Sequence, residues 1–143
     1  MTPELMDRLR RFLEKHPGMR GRAASPEEIA KAEDELAVKM ADDYKQFIRE
    51  FGGAWAGIDI HAFSNGSSRE TVVDLTRRSR SLFDKLGIFP EINRCYVIAD
   101  DGSGNPIAMS ESGEVLLFDI DTGERKRLAA SFDDLVAENF AEW

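Results

Sequence analysis

The sequence predicts an α+β fold, and three observations predict it. Apolar residues recur at helical spacing from the N-terminus to the pair Gly52-Gly53. The last third switches to short apolar runs separated by glycine-bearing turns, the pattern of antiparallel strands. A capped helical segment then follows the last run. Helices grouped around a meander, rather than alternating with strands, favour α+β over a doubly wound parallel sheet.

The first helix is expected over Pro3 to Lys15, with Leu5, Leu9, Phe12 and Leu13 on one face and Asp7, Arg8, Arg10 and Arg11 toward solvent. His16-Pro17-Gly18 stops it. The second helix has the clearest start. Ser25 is a good N-cap, Pro26 suits the first helical position, and Glu28 three residues after the cap completes a capping box. Ile29, Ala32 and Leu36 form its apolar stripe, and Glu27, Glu28, Glu33, Asp34 and Glu35 its solvated face. A third helix runs from Asp42 to Phe51 on the apolar face Tyr44, Phe47, Ile48 and Phe51, with Asp42 as its cap and Gly52-Gly53 as its stop.

Ile58 and Ile60 then alternate with Asp59 and His61, a strand pattern. Asn65-Gly66-Ser67-Ser68 reads as a loop, and residues 69–86 read as a fourth helix, although Thr71, Val72, Val73 and Thr76 are β-branched and oppose it. The meander comprises Tyr96–Ala99, Ile107–Met109, Glu114–Ile120 as its longest strand, and Glu124–Leu128. The turn Asp100-Asp101-Gly102-Ser103-Gly104-Asn105 needs positive φ at its glycines. Ser131 caps a last helix through Asn139, with Leu135 facing the core. No linker divides the chain, so residues 1–143 are expected to form one domain, with 1–24 as an N-terminal helix and connector.

Composition bounds the function. A chain of 143 residues can bury roughly 68% of its unfolded surface. Its net charge of -8 repels phosphate backbones, so direct nucleic-acid binding is not expected. No stretch approaches the ~20 apolar residues of a membrane helix. Met1-Thr2-Pro3-Glu4 offers no basic leader before an apolar run. With a single cysteine, Cys95, this points to the reducing cytoplasm. Arg94 beside Cys95 favours a modestly lowered pKa, but with no second cysteine or nearby histidine Cys95 is expected to be a bystander thiol. His16 and His61 are too few and too far apart for an ordinary zinc site, so no metal or other cofactor is expected.

Residues 1–95 hold 16 acids and 16 bases, whereas residues 96–143 hold 11 acids and 3 bases. The excess negative charge therefore lies in the sheet and last helix. The 100–105 turn lacks the alternating ligands and distant bidentate Glu of a calcium loop. As a dinucleotide loop it lacks the third glycine, since Ile107 stands there. Asp59, His61 and Ser64 raise a Ser-His-Asp reading, but no G-x-S-x-G elbow supports it, and His61 is expected at a surface or edge. No catalytic residue is assigned. Arg8-Arg10-Arg11 and Arg77-Arg78-Arg80 read as exposed helix faces. Trp55 can serve either as core or as a partner anchor, and Trp143 as a residue packed on the last helix or disordered.

Five stretches in order resemble the SUKH superfamily, also called Smi/Knr-type domains. They are Ser25-Pro26-Glu27-Glu28-Ile29 with Glu33 and Leu36; Asp43 to Ile48 leading to Phe51-Gly52-Gly53; Ile98 to Pro106; Gly113-Glu114-Val115 through Phe118-Asp119; and Ala130 to Leu135. They span residues 25–140. The family often has Leu-Pro where this chain has Met40-Ala41, and an asparagine where it has Phe51. The resemblance implies helices packed on one mainly antiparallel sheet and a non-enzymatic protein-binding domain. In bacteria such domains are mostly immunity proteins that neutralise toxins, often nucleases; in fungi a related domain regulates cell-wall synthesis through protein contacts. Asp100, Asp101, Glu111, Glu114, Asp119 and Asp121 are then the candidate residues for an anionic face meeting a basic toxin site, with Trp55 as an anchor. A regulatory or scaffolding protein with an endogenous partner is the alternative, and the oligomeric state stays open.

Overall fold

The computed structural model describes residues 1–66 and 68–142. The predicted loop residue Ser67 and the terminal Trp143 lie outside the described residues. Helix α1 (Pro3–Lys15) starts at Thr2, whose hydroxyl accepts from Leu5 N–H. Helix α2 (Pro26–Leu36) carries both bonds of the expected capping box, between Ser25 and Glu28. Helix α3 (Asp42–Phe51) departs from expectation at its cap: Ala41 occupies that place without a side-chain bond. Asp43 is used elsewhere. Its Oδ2 accepts from Asp133 N–H at 3.0 Å and so caps the last helix from across the core.

A short antiparallel pair follows, β1 (Ala54–Trp55) with β2 (Asp59–Ile60), of which only the second was anticipated. Helix α4 (Val72–Leu86) begins three residues later than expected, because Thr71 is its N-cap and shares a capping box with Asp74. The β-branched residues thus explain themselves in part: Thr71 is a cap, not a helical residue. A 3-10 turn, Pro90–Arg94, leads to the meander β3 (Tyr96–Asp100), β4 (Pro106–Met109), β5 (Val115–Asp119) and β6 (Glu124–Ala129), paired antiparallel in that order. The longest strand is β6, not β5. Helix α5 (Phe132–Asn139) starts at Ser131, whose hydroxyl accepts from Asp134 N–H.

Strand alternation sends the sheet's side chains to two faces. Tyr96, Ile107, Met109 and Val115 join the core made by α1, α2, α3 and α5, where Tyr44, Phe47 and Phe132 stack edge to face. Val97, Ala108 and Phe118 join a second cluster with Leu75 and Phe83 of α4 and with Phe89 and Ile92. Helices therefore cover both faces of the sheet.

The free edge of β3 is closed by side chains and loop. His61 N–H donates to Ile98 O at 2.8 Å, and Val97 N–H donates to the Thr76 hydroxyl at 2.8 Å. His61 thus lies at a sheet edge, but it is buried there, with Nδ1 2.7 Å from Glu70 O, rather than at a surface. It lies beyond β2 next to buried Ile60 and Ala62, so the expected alternation with exposed Asp59 stops there. The other edge, β6, presents Arg125, Lys126 and Arg127, a charged edge that resists strand addition.

Candidate functional site

The meander decides where the candidate carboxylates fall. Strand β4 is antiparallel to both neighbours, so β3 and β5 point the same way. Their C-terminal ends share one end of the sheet, which brings Asp100 and Asp101 together with Asp119 and Asp121. Glu111 and Glu114 sit in the turn between β4 and β5 at the other end. From Glu114 to Asp119 is five residues of strand, roughly 17 Å. The anionic residues expected on one face are thus divided between two ends.

The two ends differ in electrostatics. Glu111 lies 3.5 Å from Arg94, and Glu114 lies 3.5 Å from Arg127, so each has a cation at hand. None of the four aspartates makes a salt bridge among the described residues. In Asp100, Asp101 and Asp119 the carboxylate oxygens are instead taken by amides of their own turns. Asp100 Oδ1 accepts from Gly102 N–H at 2.7 Å, and Asp119 Oδ1 accepts from Asp121 and Thr122 N–H. Asp101 Oδ1 accepts from Ser103 and Asn105 N–H, and Oδ2 from the Asn105 amide. Those bonds, the Asn105 amide first, hold the Asp101 carboxyl below its ordinary pKa and keep it charged.

Asn105 locks the two turns to each other. Its Oδ1 accepts from Ile120 N–H at 3.0 Å while its Nδ2 donates to Asp101. This bridge between the β3–β4 and β5–β6 turns was not read from the sequence, although an Asp and an Asn four residues apart in a glycine-rich turn were visible there. The result is an acidic tip of four carboxylates on two joined hairpins.

The remaining candidates lie elsewhere. Trp55 is half-buried on β1, with its ring 5.3 Å from that of Phe12 and 6.1 Å from that of Phe140. The basic clusters are largely occupied. Arg8 pairs with Glu142, Arg10 with Asp7 and Glu50, Arg77 with Glu35, and Arg78 with Glu70. Arg80 departs from the exposed-face reading: partly buried, it donates to Ile92 O and Cys95 O and ties α4 to the 3-10 turn.

Cys95 is buried, as a bystander thiol would be, and the lowering that Arg94 offers is outweighed. Burial pushes its thiol up to about 11, and Glu91 adds to the shift against the opposing pull of Arg80 and Arg94. The folded protein is therefore expected to resist iodoacetamide at pH 8, and to react once urea exposes the thiol. Rapid alkylation of the native state would contradict this burial. Among the described residues, no group of three or more His, Cys, Asp or Glu is placed to hold a metal ion. No described helix is long and apolar enough to cross a membrane.

The SMI1 / KNR4 family (SUKH-1) model matches residues 23–138, which takes in α2 through most of α5 and the whole acidic tip. The chain belongs to the SUKH-1 family. That family consists of immunity-type and regulatory domains that bind protein partners and are generally non-catalytic. No curated protein matches the chain. The family stretches now have structural roles in this SUKH-1 domain. Ser25 to Glu28 caps α2, Gly52-Gly53 ends α3 against two loops, and Asp100 to Pro106 builds half of the acidic tip.

Proposed function

We propose that this SUKH-1 domain is a cytoplasmic immunity protein, without catalytic activity of its own, that neutralises a toxin by seating its acidic tip on a basic site. Asp100, Asp101, Asp119 and Asp121 carry the contact. The observation behind this reading is the four carboxylates on two hairpins joined through Asn105, with no cation paired to them among the described residues. Charge held in a fixed geometry speeds encounter with an oppositely charged surface and rejects acidic partners. A basic, phosphate-binding cleft of a nuclease-type toxin is the complementary surface. Glu111 and Glu114, beside their own arginines, and Trp55, packed on Phe12 and Phe140, are not assigned to this contact.

The test is co-expression with the product of the adjacent gene, scored for growth. The natural protein is expected to rescue. The variant carrying Asp100→Asn, Asp119→Asn and Asp121→Lys is expected to lose rescue and to associate about tenfold more slowly at low salt. The asparagines keep an oxygen for the turn amides, so the fold is preserved. Rescue and salt dependence untouched by these changes would remove the electrostatic mechanism. A partner encoded elsewhere, with no toxic neighbour, would favour the regulatory reading.

A further inference from the structure

The acidic tip adjoins an apolar surface that the tip's charges do not explain. Leu82 and Leu86 of α4 are 40% and 51% exposed, the most exposed large apolar side chains among the described residues. Beside Leu82, a groove of about 120 Å³ opens between α4 and the sheet, lined by Phe83, Val97, Pro106 and Ile120, with Asp100 among the lining residues. Asp100 is the one carboxylate in the lining, and Ile120, the second hairpin's contribution to it, lies between Asp119 and Asp121 in the chain. Arg78 also lines it, but that cation is held by Glu70.

We infer that this groove receives one aliphatic side chain from a protein segment that carries Lys or Arg on both sides of it. Size limits the occupant: an apolar cavity of ~150 Å³ takes one benzene ring, so a groove slightly smaller takes one branched side chain and not a helix face. Charge selects the flanks, because a segment entering between the two hairpins passes aspartates with no cation paired to them among the described residues. A buried side-chain anchor surrounded by a polar rim is a common arrangement of a protein interface. The inference rests on the protein-binding reading above and adds the side chain the tip recognises. A second copy is a poorer occupant. Its exposed Leu128 follows Arg125-Lys126-Arg127, but Arg125 is held by Glu91 and Arg127 lies 3.5 Å from Glu114.

The test uses the full chain labelled with nitrogen-15 and three synthetic peptides. The first is acetyl-Gly-Lys-Lys-Leu-Lys-Lys-Gly-amide, the second has serine in place of leucine, and the third has glutamate in place of every lysine. The first is expected to shift the amides of Leu82, Val97, Gly104 and Ile120 in a saturable way. Either control peptide, or Leu82→Ser in the protein, is expected to weaken binding by about tenfold. Because Leu82 is exposed, its replacement leaves the fold in place. Shifts that follow the lysines but ignore the leucine would overturn the groove and leave the charge reading standing. Absence of saturable shifts with the first peptide would overturn it too, while the growth assay judges the immunity reading separately. Concentration-dependent shifts without peptide, abolished by Leu82→Ser, would assign the groove to a second copy and overturn the partner segment.

Discussion

Gly52→Ala is expected to destabilise the fold by roughly 3–5 kcal/mol, enough to remove much of the stability of an ordinary domain. Gly52 has φ 67° and ψ -148°, a region open essentially to glycine alone. Space is also lacking. An added Cβ would lie 2.2 Å from Arg22 O and 2.9 Å from Ser64 O, both backbone atoms that cannot swing aside. The neighbouring loops are pinned there by Gly53 N–H to Ser64 O at 2.7 Å and Gly21 N–H to Gly53 O at 2.8 Å. Gly87→Ala provides the contrast. Its φ is 68° but its ψ is 32°, in the left-handed helical region, and nothing lies within 4 Å of an added Cβ. That variant should cost only about 1 kcal/mol. Urea midpoints at constant slope measure both, and similar losses for the two would show that close packing at Gly52 contributes little.

Thr76→Val is expected to cost about 1–3 kcal/mol, although the two side chains have nearly the same shape. The Thr76 hydroxyl, fully buried, donates to Val72 O at 2.7 Å and accepts from Val97 N–H at 2.8 Å. Valine would leave the amide of a sheet-edge residue buried without a partner, and desolvation of that amide is the loss. Thr76→Ser keeps both bonds and gives up only a methyl group, a loss of about 1 kcal/mol. Amide exchange at Val97 separates the two causes. It should accelerate beyond the global loss of stability in the valine variant and follow the global loss in the serine variant. A valine variant as stable as the natural protein would mean that the edge of β3 does not depend on this hydroxyl.

These two positions show what local pattern could and could not convey. The glycine pair was legible as a helix stop, because glycine after a periodic apolar face terminates helices. Its second role, admitting the backbone of residues 22 and 64 at close range, depends on loops distant in sequence. Thr76 counted against a helix on propensity, yet its hydroxyl is what joins that helix to the sheet edge. The same reason lies behind His61 and Arg80. Each is a polar residue that local pattern leaves at the surface, and each is covered, His61 almost fully and Arg80 in part, by segments that approach only after the chain has folded.

The acidic tip follows the same division. Counting charges showed that the negative excess lies beyond residue 95, but a count has no direction. Strand order assigns the directions, sending Asp100, Asp101, Asp119 and Asp121 to one end of the sheet and Glu111 and Glu114 to the other.

The sequence by itself determined the α+β class, the capped helices, the meander, the charge imbalance and the SUKH kinship. The class, the helices and the meander depend on periodicity, turn chemistry and capping, which act over a few residues, whereas the imbalance is a count of charges and the kinship is a resemblance of five stretches in order. Only the tertiary structure decided that helices cover both faces of the sheet, that Asn105 joins two hairpins into one acidic tip, and that an apolar groove opens beside it. Those features arise where segments far apart in the chain compete for the same space and the same hydrogen bonds, and no local window contains that competition.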